Sequence, residues 1–198
     1  MCYTVGAGRD MLARGSGMEK EKLLLDCRPQ VHPTAFVAPT AVLLGDVRID
    51  EEASIWFNCV LRGDVMPIKV GKRTNIQDLS LCHGFYGKHE VIVGDDVTVG
   101  HCAVIHACTV EDRCLIGMGA KILTGAVVGA ESIVAAGAVV REGMRIPPRS
   151  LVVGLPAVVK KQLQDADVEF IKSFGTTYLG YTRTYKRRAE ELEELFRK

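Results

Sequence analysis

The sequence predicts a mainly β chain wound as a parallel β-helix, with one α-helix at its C-terminal end. Three observations carry this. An aliphatic residue recurs at six-residue intervals from Val31 to Val152. Glycine is abundant, at 20 residues, and aromatics are only 6%, which favours a repetitive, tightly turning backbone over a bulky-cored sandwich. From residue 165 the apolar spacing changes to three and four, as a helix requires.

The repeat comes first along the chain. Val31, Val37, Leu43, Ile49, Ile55 and Leu61 set the phase. It returns at Val70, Ile76 and Cys82, then at Val93, Val99 and Ile105. After a one-residue slip it runs from Val110 through Ile116, Ile122, Val128, Val134, Val140 and Ile146 to Val152. Four positions after most of these stands a small or medium residue, such as Ala53, Cys59, Ser80, Ala103, Thr109 or Ala120. Six residues make one short strand and a corner, and three such units close one triangular turn of about 18 residues. The aliphatic residue then points inward and stacks on its counterpart one turn away, while the small residue fills the corner. Residues 23–157 are expected to form this β-helix, 1–22 a disordered extension, and 158–198 a helical segment packed on it. Pro147, Pro148 and Pro156 are expected to close the coil, since proline cannot donate to a ladder. Asp165 is the expected helix cap, followed by an apolar stripe of Val168, Ile171, Phe174 and Tyr178 that continues to Leu192, Leu195 and Phe196.

Two stretches break the phase. Three extra residues lie between Leu61 and Val70, and five between Cys82 and Val93 around 84–90. Both are expected to be loops ejected from the coil, where function tends to sit. Composition excludes other classes. The net charge of +1 supplies no field for nucleic acid or an anionic membrane. No apolar run approaches the roughly 20 residues that span a bilayer. Seven cysteines, an odd number with no signal-peptide pattern before them, point away from a disulfide framework and toward a reducing, cytoplasmic setting.

Four of the five histidines fall between Asn75 and Cys108: His83, His89, His101 and His106. His83 and His106 each follow an inward aliphatic-position residue, Cys82 and Ile105, so both face outward in one direction. His101 stands two after Val99 and faces elsewhere. One flat face cannot gather all three, but a neighbouring copy can supply the missing one, and three-fold symmetry closes such a ring. Three neutral imidazoles with an open fourth position make a catalytic-type metal site, in which a water's pKa falls to about 7. Surface histidines without function are the plain alternative. A structural zinc site using Cys82, Cys102 and Cys108 is another, although Cys82 occupies an inward slot. His32 and His89 do not share the arrangement.

The order Ser54-Ile55-Trp56, Val60-Leu61-Arg62-Gly63-Asp64, Asn75-Ile76-Gln77-Asp78, His83, Val99-Gly100-His101, His106 and Ile116-Gly117-Met118-Gly119-Ala120 resembles the γ-class carbonic anhydrases and their wider γ-carbonic-anhydrase-like family of hexapeptide-repeat homotrimers. The likeness extends over residues 27 to 185. It implies a left-handed coil, against the right-handed rule for ordinary crossovers. It implies metal ligands His83, His101 and His106, with His101 crossing the subunit interface. Arg62 and Asp64 would pair between subunits near the metal, and Gln77 would bond the metal-bound water or bicarbonate. Asn75 and Asp78 would support the ligands, and Tyr178 would stand near the pocket. The metal would be zinc, with iron or cobalt also accepted by three imidazoles. Two departures stand out. Ala107 replaces the glycine many relatives have, and the loop GFYGKHE is shorter and less acidic than the proton-shuttling loop of active members. Three activities are therefore weighed: reversible CO2 hydration by a metal-bound hydroxide, a metal-binding homotrimer with little hydratase activity, and a hexapeptide acyltransferase.

Overall fold

The computed structural model describes residues 23–189, 191 and 194. The expected extension 1–22 and the stripe residues Leu192, Leu195 and Phe196 lie outside the described residues. A short 3-10 turn, Leu24–Asp26, leads into a parallel β-helix whose coils stack along three faces.

Face one carries residues 42–44 and 60–62, then Leu81–His83, Val104–His106, Lys121–Ile122 and Val139–Val140. Face two carries 47–49 and 68–70, then Val91–Val93, Thr109–Val110, Val127–Val128 and Arg145–Ile146. Face three is a separate sheet running from Phe36–Val37 through Ser54–Ile55, Asn75–Ile76, Thr98–Val99, Leu115–Ile116 and Ile133–Val134 to Ser150–Val153.

The register explains why the six-residue phase works. Leu61 pairs with Cys82, Cys82 with Ile105, Ile105 with Ile122 and Ile122 with Val140. All five are fully buried. Each aliphatic side chain so buried contributes about 1.5–3 kcal/mol, and only by stacking on its neighbours. The first coil is looser: Val31 is exposed and Val37 and Leu43 are half-buried. The small slot after Ile105 is filled by buried Cys108 rather than Thr109, because the one-residue slip draws the corner in.

Several expectations change. The extra residues between Leu61 and Val70 are not ejected. Val60–Val70 is one continuous strand that turns from face one to face two, absorbing them as an irregularity opposite Gly45–Val47. The bend needs glycine: a Cβ on Gly63 would collide with the Asp46 carbonyl, and one on Gly45 with that of Gly63. Pro147 and Pro148 do not end the coil, since Ser150–Val153 pairs onward with Ile133–Val134. Residues 158–162 are not helical. Val158–Gln162 folds back antiparallel on Ser150–Val153 and finishes that edge.

The helix spans Asp165–Arg187 and is capped by Gln164, not Asp165. Gln164 and Asp167 satisfy each other's backbone donors reciprocally, a capping box. The helix runs back along the coil. Arg149 pairs with Asp165 at one end, and Lys186 Nζ donates to the Thr34 carbonyl at 2.9 Å near the other. Val168, Ile171 and Thr182 form its buried face. No helix among the described residues is long and apolar enough to cross a membrane.

Candidate metal centre

Face one carries histidines along its two edges. His83 and His106 end adjacent strands and are register partners, with ring centroids 5.6 Å apart. Arg62 is the partner of His83 on the strand before. His101 lies in the corner that precedes Val104–His106, at the opposite edge of the face. Among the described residues of one chain, no three His, Cys, Asp or Glu side chains converge on a common point.

At the first edge, Asp64 gathers the polar groups. Arg62 donates to its Oδ2 at 2.6 Å, and His83 Nε2 stands 3.1 Å from its Oδ1. Burial alone would raise the Asp64 carboxyl, but the bonds from Arg62 and His83 more than offset it and hold it below the usual range. Burial, and then the Arg62 charge, lower the pKa of His83, so its ring is neutral at pH 7. His106 Nδ1 lies 3.0 Å from Thr124 Oγ1, one coil later. The loop after His83 folds as a tight turn, with Phe85 and His89 exchanging backbone hydrogen bonds. It lays the Phe85 ring edgewise on His106, with centroids 6.5 Å apart. Glu90 leaves the loop to pair with Lys69 at 2.9 Å.

At the second edge, Asp78 and His101 occupy consecutive rungs of one corner, and Asp78 Oδ2 is 2.8 Å from His101 Nδ1. The other Asp78 oxygen accepts the Phe57 amide at 3.1 Å, and its carbonyl accepts that of Cys102. Gln77 is 4% exposed. Its Nε2 donates to Asn75 Oδ1 at 3.1 Å, and Asn75 Nδ2 donates to Thr98 Oγ1 at 2.8 Å. With its amide nitrogen so engaged, Gln77 keeps its oxygen as an acceptor. Beside it an apolar groove of about 220 Å³ is lined by Leu115, Met118, Ile133 and Phe174. Tyr178 packs edgewise on Trp56 at 5.3 Å, within an aromatic cluster with Phe36 and Tyr185. Burial, and then the Asp78 charge, push its hydroxyl up to about 12.

The thiol alternative loses two of its three donors, since only Cys102 among them is exposed. Cys82 and Cys108 are buried in the core, and burial pushes the Cys108 thiol up to about 12 and raises that of Cys82 as well. Neither presents a thiolate. The imidazoles do fit a divalent ion as a donor set. His101 and His106 each have Nδ1 engaged, which leaves Nε2 for the ion. His83 differs: Asp64 holds its Nε2, so an ion requires that bond to break or takes Nδ1.

Comparison with known proteins shows the family. Over 160 residues, 78% of the chain, it is 49% identical to a protein named "Gamma carbonic anhydrase 1, mitochondrial" from Arabidopsis thaliana. It spans only 58% of that relative's length. It is 41% identical to "Carbonic anhydrase" from Geobacillus kaustophilus over 80% of the chain and 86% of the relative. The chain belongs to the γ-carbonic-anhydrase-like family. The "Bacterial transferase hexapeptide (six repeats)" family model also matches, at residues 107–142. A solved Bacillus cereus structure, provisionally described as an acetyltransferase, superimposes with a TM-score of 0.80 at 40% identity, covering 82% of this chain and 94% of that one. His83, His101 and His106 were singled out from the sequence. Thr98 and Thr124 were not singled out, since the one-residue slip after Ile105 makes the ladder offset 17 there while Thr124 stands 18 after His106.

Proposed function

We propose that the chain assembles as a homotrimer and catalyses reversible hydration of CO2 to bicarbonate at metal sites shared between subunits. The observation that carries this is the division of imidazoles between the two edges of face one. His83 and His106 stand together on one edge, and His101 with Asp78 on the other. In a three-fold ring one copy's first edge meets the next copy's second edge, completing three nitrogens. Zinc suits such a donor set, and iron or cobalt are accepted too. The ion would supply Lewis acidity, lowering the pKa of a water to about 7.

The chain's own residues do the rest. Gln77, oriented by Asn75 and Thr98, offers its carboxamide oxygen as an acceptor, so it orients a donor such as a water or hydroxide beside the imidazoles. Asp78 fixes the His101 ring. Asp64 is set between His83 and Arg62, where its charge is neutralised, so the first edge carries no free carboxylate to repel bicarbonate. The apolar groove beside Gln77 suits an uncharged, weakly hydrated substrate.

One observation favours the quieter reading, a metal-binding homotrimer with little hydratase activity. Rapid hydration needs a group that carries protons to solvent. Glu90, the single carboxylate of the 84–90 loop, is already paired with Lys69. Metal analysis with stopped-flow CO2 hydration on the purified chain tests both. Near-stoichiometric metal and hydration, both lost in His106→Ala, are expected. Metal without hydration selects the quieter reading, and a metal-free protein that turns over acetyl-CoA overturns both.

A further inference from the structure

The three imidazoles have three different partners, and one of them is neutral. His101 faces the carboxylate of Asp78 and His83 that of Asp64, while His106 faces the hydroxyl of Thr124. We propose that Thr124 is a positioning residue that holds His106 in its Nδ1–H tautomer and so presents Nε2 to the metal. The proposal rests on the metal-site reading above and adds a residue to it.

The placement is firm. Thr124 follows Lys121–Ile122, the strand paired with that of His106, and its carbonyl accepts the Gly143 amide at 2.9 Å. The Leu123 amide before it donates to Val140 at 3.1 Å. The Gly125 amide after it donates at 2.7 Å to the carbonyl of Ala107, the residue after His106. The two chain segments are therefore bonded to each other immediately beyond the histidine and the threonine. Branching at Cβ restricts the Thr124 side chain to few rotamers, so the hydroxyl is delivered at little entropic cost. A neutral imidazole has one donor and one acceptor nitrogen, and the partner of one fixes the role of the other. With Nδ1–H donating to Oγ1, the lone pair is on Nε2.

A hydroxyl does this without adding charge. At this position a carboxylate would make His106 a more basic ligand. Ala107 supports the same end. It holds a positive φ of 50°, and its amide donates to the His83 carbonyl at 2.8 Å, tying the two histidine strands together beside Thr124.

The test has two arms on the full-length protein, in Thr124→Val and Thr124→Ser. The first reads imidazole nitrogen shifts of the metal-free protein by 15N NMR at pH 8. Wild type and Thr124→Ser are expected to show His106 protonated on Nδ1, and Thr124→Val to lose that preference. The second measures the zinc dissociation constant by chelator competition. Thr124→Val is expected to weaken zinc by about 10–100-fold, the usual cost of removing a ligand's partner, with Thr124→Ser restoring most of it. An unchanged tautomer in Thr124→Val overturns the proposal, as does equal weakening in both variants, which would assign the effect to packing. A wild type that binds no zinc refutes the metal reading, while the nitrogen shifts still decide the role of Thr124.

Discussion

The two edges of face one are built on opposite plans. At the His83–His106 edge the rings are close, half-buried and enclosed by Asp64, Thr124 and Phe85. At the His101 edge a single ring, 37% exposed, is held from behind by one carboxylate, with Nε2 unencumbered. The first edge brings two imidazoles together, and the second offers one. Each is poor alone, which is what a site divided between copies requires. The difference also bears on the proposed metal site. Nε2 of His101 is ready, while His83 must release Asp64 or turn.

The largest effect should come from breaking each edge separately and then mixing. His83→Ala and His101→Ala should each lose bound metal. Unfolded together in equal amounts and refolded, they should regain metal at roughly one quarter of sites, since in a random three-fold ring that fraction of contacts pairs two intact edges. Metal content after gel filtration reads this, and no recovery would break the two-edge account.

A smaller effect should follow at the bend that carries Arg62 and Asp64. Gly63→Ala forces a Cβ into the Asp46 carbonyl and should cost about 1–3 kcal/mol in urea denaturation, the usual range for overpacking. It should loosen the first edge and leave the Asp78–His101 contact intact. Unchanged stability would show that the close approach of these coils relaxes freely.

The smallest effect concerns burial of His83. Its folded pKa is held down, first by burial and then by Arg62, so the unfolded chain binds more protons in mild acid. Its contribution to stability is therefore fully present above the unfolded value of about 6.5 and lost as pH falls through the lowered folded value. Metal-free wild type should lose stability relative to His83→Gln between pH 7 and 5 in parallel denaturation series. A constant gap would mean that the ring is solvated as freely as in the unfolded chain.

How far the sequence could be read depended on the kind of relation involved. Residue direction was legible, because the hexad fixes inward and outward positions for Cys82, His83, Ile105 and His106 alike. The opposed placement of His101 followed from the same phase. Partnership was less legible, because it depends on the offset between coils. Where the coil is regular that offset is 18 residues, as for Val110 and Val128, whereas across the slip it is 17 and Thr124 stands 18 after His106. The one between Gln77's partner Asn75 and Thr98 is 23, because the 84–90 loop adds five. The break between Leu61 and Val70 misled for a related reason. Extra residues can stay in the ladder when Gly45 and Gly63 let two backbones approach, and spacing alone cannot distinguish that from an ejected loop. Asp165 resembled a helix cap, but the reciprocal pair of Gln164 and Asp167 satisfied more backbone donors.

The sequence by itself determined the coil, its inward column and the two directions in which histidines leave it, because stacking identical hexads is a local rule repeated. Only the tertiary structure decided what each histidine touches. It placed Asp64 on the nitrogen of His83 that a metal would want, Asp78 behind His101, and Thr124 behind His106. It also set Tyr178 on Trp56, within the aromatic cluster beneath the helix. The physical reason is that a hydrogen bond depends on ångström-scale distances between coils. Slips, bulges and glycine-permitted close approaches set those distances, and the period of six averages over them.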